Sequence, residues 1–107
     1  MGATGELETL ILMAILRLGD GAYGVSVGDE IAERTGRRLT RGAIYSALRR
    51  LERKGLVGGT LGEATPSRGG RAKRFVSLTE AGREAVRATA RDFDRMRSGL
   101  DDLVADR

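Results

Sequence analysis

Eleven of the chain's 19 basic side chains lie between Arg37 and Arg74, where only two acids accompany them. That central third has a net charge of +9. The residues before it sum to −4 and those after it to −1. Guanidinium groups bind phosphate and carboxylate oxygens through paired N–H donors. A block of one sign reads as an anion-binding face, since a solvated surface usually mixes its charges. The competing reading is a basic loop that has no partner. Other chemistry is poorly supported. The chain has no Cys and no His, so it has no thiolate or imidazole metal ligand and no general base suited to neutral pH. Its acids are scattered among arginines on helical segments, as on a solvated surface. No catalytic residue, metal or cofactor is expected, and the chain does not read as an enzyme.

A chain of 107 residues provides one modest core. The apolar run Leu10–Leu16 falls far short of the roughly 20 residues a membrane span needs. No secretory signal flanks it. A cytoplasmic protein with no membrane partner is expected.

The elements that must position the basic face are legible as patterns. Glu6 to Leu18 has apolar residues at helical spacing on two stripes, Leu7-Leu10-Ile11-Ala14-Leu18 and Leu12-Ile15-Leu16. A helix so widely apolar is buried on more than one side, and a second subunit is expected against Leu12 and Ile15. After the Gly19-Asp20-Gly21 turn, a second helix is expected over Val25 to Thr35. The third runs over about 40–54. Thr40 is its N-cap, Leu39 and Ile44 form a hydrophobic staple, and Gly55 is its C-terminal stop. Its stripe Ile44, Ala47, Leu48 and Leu51 faces the core. Arg41, Tyr45, Ser46, Arg49, Arg50 and Arg53 face outward. A hairpin follows over about 56–78, with a strand at Leu56–Leu61, a Gly/Pro/Ser loop at 62–70, and a returning strand at Lys73–Leu78. From Thr79 to about Val104 one long helix is expected. It carries the heptad series Val86, Phe93, Leu100 and Thr89, Met96, Leu103, which reads as an intersubunit seam, the alternative being that it folds back on the first helix of the same chain. The fold class is therefore mainly α with a small β-hairpin. Residues 1–78 form a winged helix-turn-helix, and residues 79–107 a long C-terminal dimerisation helix.

A helix is about as wide as the DNA major groove. The N-terminal turn of helix three would face base edges with Thr40, Arg41, Gly42, Tyr45 and Ser46, followed by Arg49 and Arg50. Arg can read guanine with two hydrogen bonds. The hairpin carries Arg68, Arg71, Lys73 and Arg74. Arg71 and Lys73 suit phosphates, and Arg68 suits a narrow minor groove. Arg53 and Lys54 lie where cations also stabilise the helix dipole.

Over nearly its whole length the chain resembles the PadR-type transcriptional regulators. The resemblance rests on LILMAILRLGDGAYG, on RGAIYSALRRLERKGLV, on RGGRAKRFVSLTEAGR and on the single C-terminal helix. It implies a bacterial homodimer joined by its first and last helices and bound to a near-palindromic double-stranded DNA operator. It also implies repression that is relieved by a small molecule or another signal. Gly42 and Tyr45 would lie close to DNA, and Lys73 and Arg74 would be wing cations. Some family members hold flat aromatic ligands between tryptophans at the dimer centre. This chain has no Trp. The alternative function is a protein-interaction module built on the heptad helix, with the basic face binding an acidic partner. An RNA-binding winged helix would call for more exposed aromatics than the four present.

Overall fold

The computed structural model describes residues 5–61 and 74–104. The elements are α1 (Glu6–Leu18), a 3₁₀ turn (Gly19–Gly21), α2 (Gly24–Thr35), α3 (Arg41–Arg53), β1 (Val57–Leu61), β2 (Arg74–Leu78), α4 (Glu80–Arg97) and the short α5 (Asp101–Val104). The fold is mainly helical, with one antiparallel hairpin. β1 and β2 pair in the register Val57↔Leu78, Gly59↔Val76 and Leu61↔Arg74. The Val76 N–H also donates to the Ala22 carbonyl at 2.9 Å, and Tyr23 forms an isolated bridge with Phe75. The hairpin is thereby tied to the segment that leads into α2. The Tyr23 and Phe75 rings meet edge to face, 5.6 Å apart, a favoured aromatic geometry.

α1 lies at the centre. It touches α2, α3, β2 and α4, which explains why it is apolar around so much of its circumference. Ile11, Leu12, Ala14 and Ile15 are buried, in one core with Val27, Ile31, Ile44, Leu51, Val57, Val76 and Val86. This corrects one expectation from the sequence. Leu12 and Ile15, assigned there to a subunit interface, are 0% and 2% exposed within the chain's own core. Val86, the first residue of the heptad seam, is likewise buried in that core. Physically, α4 and the hairpin fold back over α1 and cover the stripe that seemed to need a second subunit.

The C-terminal segment also departs from expectation. α4 ends at Arg97. Its C-cap Ser98 is extended (φ −55°, ψ 127°), and Gly99 takes a left-handed φ of 86°. Leu100 and Leu103 therefore lie beyond a break and do not continue the Val86 and Thr89 series. Glycine in this conformation terminates a helix at little cost. Every residue from Arg91 to Leu103 is exposed, so no packing opposes the break.

Where α4 begins, Thr79 holds three elements together. Its Oγ1 accepts the Gly82 N–H at 3.0 Å and donates to the Gly55 carbonyl at 2.6 Å. Its backbone N–H donates to the Leu56 carbonyl at 3.0 Å. Gly82 is buried against that same carbonyl, where an added Cβ would collide with the oxygen. Backbone cannot yield as a flexible side-chain end can. Gly82→Ala should therefore destabilise the fold by about 1–3 kcal/mol through overpacking. Urea denaturation would measure this, and an unchanged midpoint would refute the close approach.

Candidate nucleic-acid interface

α3 is built as the sequence suggests. The Thr40 hydroxyl accepts the Ala43 N–H at 3.0 Å, satisfying one orphan donor of the first turn. At the far end the Gly55 N–H reaches the Glu52 carbonyl and the Leu56 N–H reaches the Leu51 carbonyl, each at 3.0 Å. Those two bonds form a Schellman motif. Ile44, Ala47, Leu48 and Leu51 are buried. Arg41, Gly42, Tyr45, Ser46, Arg49 and Arg53 are exposed on the opposite side, beside the N-cap Thr40.

Two glycines on α2 set how closely α3 can lie. A Cβ on Gly28 would come within 2.7 Å of Ile44 Cδ1, and one on Gly24 within 2.7 Å of the Tyr45 ring. Tyr45 is thus seated against the bare backbone of α2, with 41% of its surface exposed. This gives a physical reason for glycines that weaken α2 as a helix.

The cations divide into two groups. Among the described residues, Arg38, Arg41, Arg49 and Arg53 have no carboxylate within ion-pair distance. The remaining described cations of the central block, Arg37, Arg50, Lys54 and Arg74, are paired. Arg37 lies 3.4 Å from Glu6. Arg50 donates through Nε to Glu8 at 3.0 Å, and Lys54 donates through Nζ to the same carboxylate at 2.8 Å. Arg74 donates to Glu52 at 2.5 Å. Arg50 and Arg74, read from the sequence as free DNA-facing cations, therefore each have a carboxylate partner. The physical reason is proximity: α1 brings Glu8 beneath the last turn of α3, and the hairpin brings Arg74 over Glu52. Arg68, Arg71 and Lys73 lie outside the described residues.

Glu8 is an organising residue that the sequence reading missed. It is 6% exposed. Burial opposes its ionisation, but hydrogen bonds from Lys54 and Arg50 outweigh that and hold its carboxyl below the usual range. The signal was present in the sequence, because Glu8 precedes the buried Leu12 and Ile15 by four and seven residues and so shares their face.

The proposed seam residues differ in exposure. Thr89 is half-buried, while Phe93 and Met96 are 59% and 75% exposed. An apolar groove of about 440 Å³ runs between α1 and α2, lined by Leu10, Met13, Leu16 and Ile31. Glu30 sits at its edge, accepting from Arg34 at 2.7 Å and Arg17 at 3.2 Å. Among the described residues no His, Cys, Asp or Glu cluster could hold a metal ion, and no helix is long and apolar enough to cross a membrane.

Three helices, a paired hairpin and a basic outer face on the third helix define a winged helix-turn-helix. The profile of the transcriptional regulator PadR-like family matches residues 11–88. The chain belongs to that family of transcriptional regulators. Solved structures agree on the fold. A PadR family regulator from Clostridium difficile R20291 superposes with a TM-score of 0.76 at 24% identity, covering 94% of this chain and 100% of that one. A PadR-like regulator from Bacillus cereus gives 0.74 at 21% identity, covering 94% and 93%. Bacillus subtilis PadR, solved in complex with operator DNA, gives 0.66 at 21% identity, covering 78% of this chain and 46% of that one. No curated protein sequence matches significantly.

The Glu8 carboxylate should stabilise the fold only while it is charged. Its folded pKa is depressed, so its contribution is present above the unfolded value and is lost as pH falls through the folded one. Glu8→Gln should cost about 1–2 kcal/mol near neutrality, because its partners are partly solvated. In urea titrations the gap between native and variant should narrow as the pH falls below the ordinary glutamate value of about 4.3 and vanish below the depressed folded one. A gap that does not change with pH would show that the charge contributes nothing.

Proposed function

We propose that this chain binds double-stranded DNA sequence-specifically as a homodimeric repressor. The observation that carries the reading is the outer face of α3. Tyr45, Ser46 and the unpaired Arg41 and Arg49 share it, on a rigid helix narrow enough to enter the major groove. Arg41, in the first turn, is the residue suited to reading a base. Arg68, Arg71 and Lys73, which lie outside the described residues, are candidates from the sequence for phosphate and minor-groove contacts. The solved complex of Bacillus subtilis PadR with operator DNA supports the same type of partner here.

Two features support a homodimer. Phe93 and Met96 are exposed on α4, and the α1–α2 groove is apolar, with Arg17 and Arg34 at its rim. The α4 of a second copy therefore offers that groove the apolar side chains of Phe93 and Met96. Two copies would then present two α3 helices to half-sites about one DNA turn (~34 Å) apart.

Selection of duplexes from a random-sequence pool tests the DNA reading. An enriched inverted repeat is expected, and failure to enrich any sequence at low salt would overturn it. Binding to the selected duplex should weaken roughly 10³–10⁵-fold between about 50 and 200 mM salt if ~6–10 phosphates are contacted. Arg41→Ala should relax base preference, whereas Lys73→Ala should weaken cognate and scrambled duplexes equally. Phe93→Glu combined with Met96→Glu should yield folded monomers in sedimentation and abolish tight binding. A persistent dimer would move the interface elsewhere.

A further inference from the structure

The face of α3 that would meet DNA carries one acid. Glu52 lies seven residues after Tyr45 and three after Arg49, on the same side of the helix. Tyr45, Arg49, Glu52, Arg74 and Val76 together line a groove of about 360 Å³ between α3 and the hairpin. An uncompensated carboxylate there would repel phosphates. Arg74 compensates it, donating from Nη2 to Glu52 Oε2 at 2.5 Å.

Strand parity explains how Arg74 reaches inward. In the antiparallel register Arg74 shares a sheet face with Val76 and with Gly59 and Val57. Val57 and Val76 are buried, so that face looks toward α3 and the core. Gly59 leaves room for the pair to cross β1. A Cβ there would come within 2.7 Å of the Arg74 guanidinium and 3.0 Å of Glu52 Oε2. Among the described residues this is the outermost side-chain tie between the hairpin and α3. Nearer the base the two are joined by the buried Val57 and Val76 packing beside Leu48 and Leu51.

We propose that the Glu52–Arg74 pair, laid across Gly59, is a strut that fixes the angle between α3 and the hairpin. Glu52 and Gly59 are then positioning residues for DNA binding, and Arg74 acts through Glu52 without contacting a phosphate. The inference rests on the DNA-binding reading. It also reverses a simple electrostatic expectation. If Arg74 were a phosphate contact, removing the acid would release it and tighten binding. If the pair is a strut, removing the acid loosens the hairpin and weakens binding, although the face has become more positive.

The test is a double-mutant cycle on the duplex selected by the native chain, read by fluorescence anisotropy across a salt series. Glu52→Gln and Arg74→Gln should each weaken binding about 3- to 10-fold, and the double variant should be no weaker than either single one. Gly59→Ala, which changes no charge, should weaken binding similarly. Thermal midpoints of the two Gln variants should stay close to native, since an exposed pair adds little to global stability. Tighter binding by Glu52→Gln, or additive effects in the cycle, would overturn the strut while leaving DNA binding intact. If the native chain itself selects no duplex, the DNA reading fails instead.

Discussion

The position of α1 governs the rest of the structure. Ile11 and Leu12 are completely buried, and α2, α3, β2 and α4 all pack around the helix that carries them. A domain of this size can fill only one core, and its apolar supply is concentrated here. Each element that matters for function therefore takes its place from α1. Glu8 makes the dependence electrostatic as well as apolar. A carboxylate buried on that helix holds the last turn of α3 through Arg50 and Lys54, while the first turns of α3 are held by the close approach of Ile44 and Tyr45 to Gly28 and Gly24 of α2.

That arrangement sorts the basic residues into two roles. Arg50, Lys54 and Arg74 are engaged by carboxylates of the chain itself. Those on the outer face of α3, Arg41, Arg49 and Arg53, have no such partner among the described residues. The +9 of the central third thus overstates the charge available to an external anion. What remains runs along the outer face of α3, from Arg41 beside the Thr40 cap to Arg53 in the last turn.

The C-terminal half of α4 has the opposite character. From Arg91 onward every described side chain with an assigned exposure is solvent-facing, and the radius of gyration of 15.5 Å exceeds the roughly 13 Å of a compact domain of this length. A helix that extends past its own core with Phe93 and Met96 uncovered is poorly stabilised alone. The α1–α2 groove likewise leaves apolar side chains uncovered, Leu16 among them.

The sequence by itself determined the elements and their ends. Thr40 and Gly55 bound α3, Thr79 begins α4, and the 3.6-residue periodicity of α1 and α3 reports their buried faces, because capping and periodicity are local and depend on residues within a turn or two. Ser98-Gly99 was an equally local stop, masked by a heptad pattern that continued through it. The tertiary structure decided who covers whom. Periodicity says that Leu12 and Ile15 must be buried but not whether by this chain or another. Charge composition counts Arg50 and Arg74 but cannot see that Glu8, 42 residues before Arg50, and Glu52, 22 residues before Arg74, lie within hydrogen-bond reach. Those pairings exist only once the chain has closed around α1, and they decide which part of the basic block still faces outward.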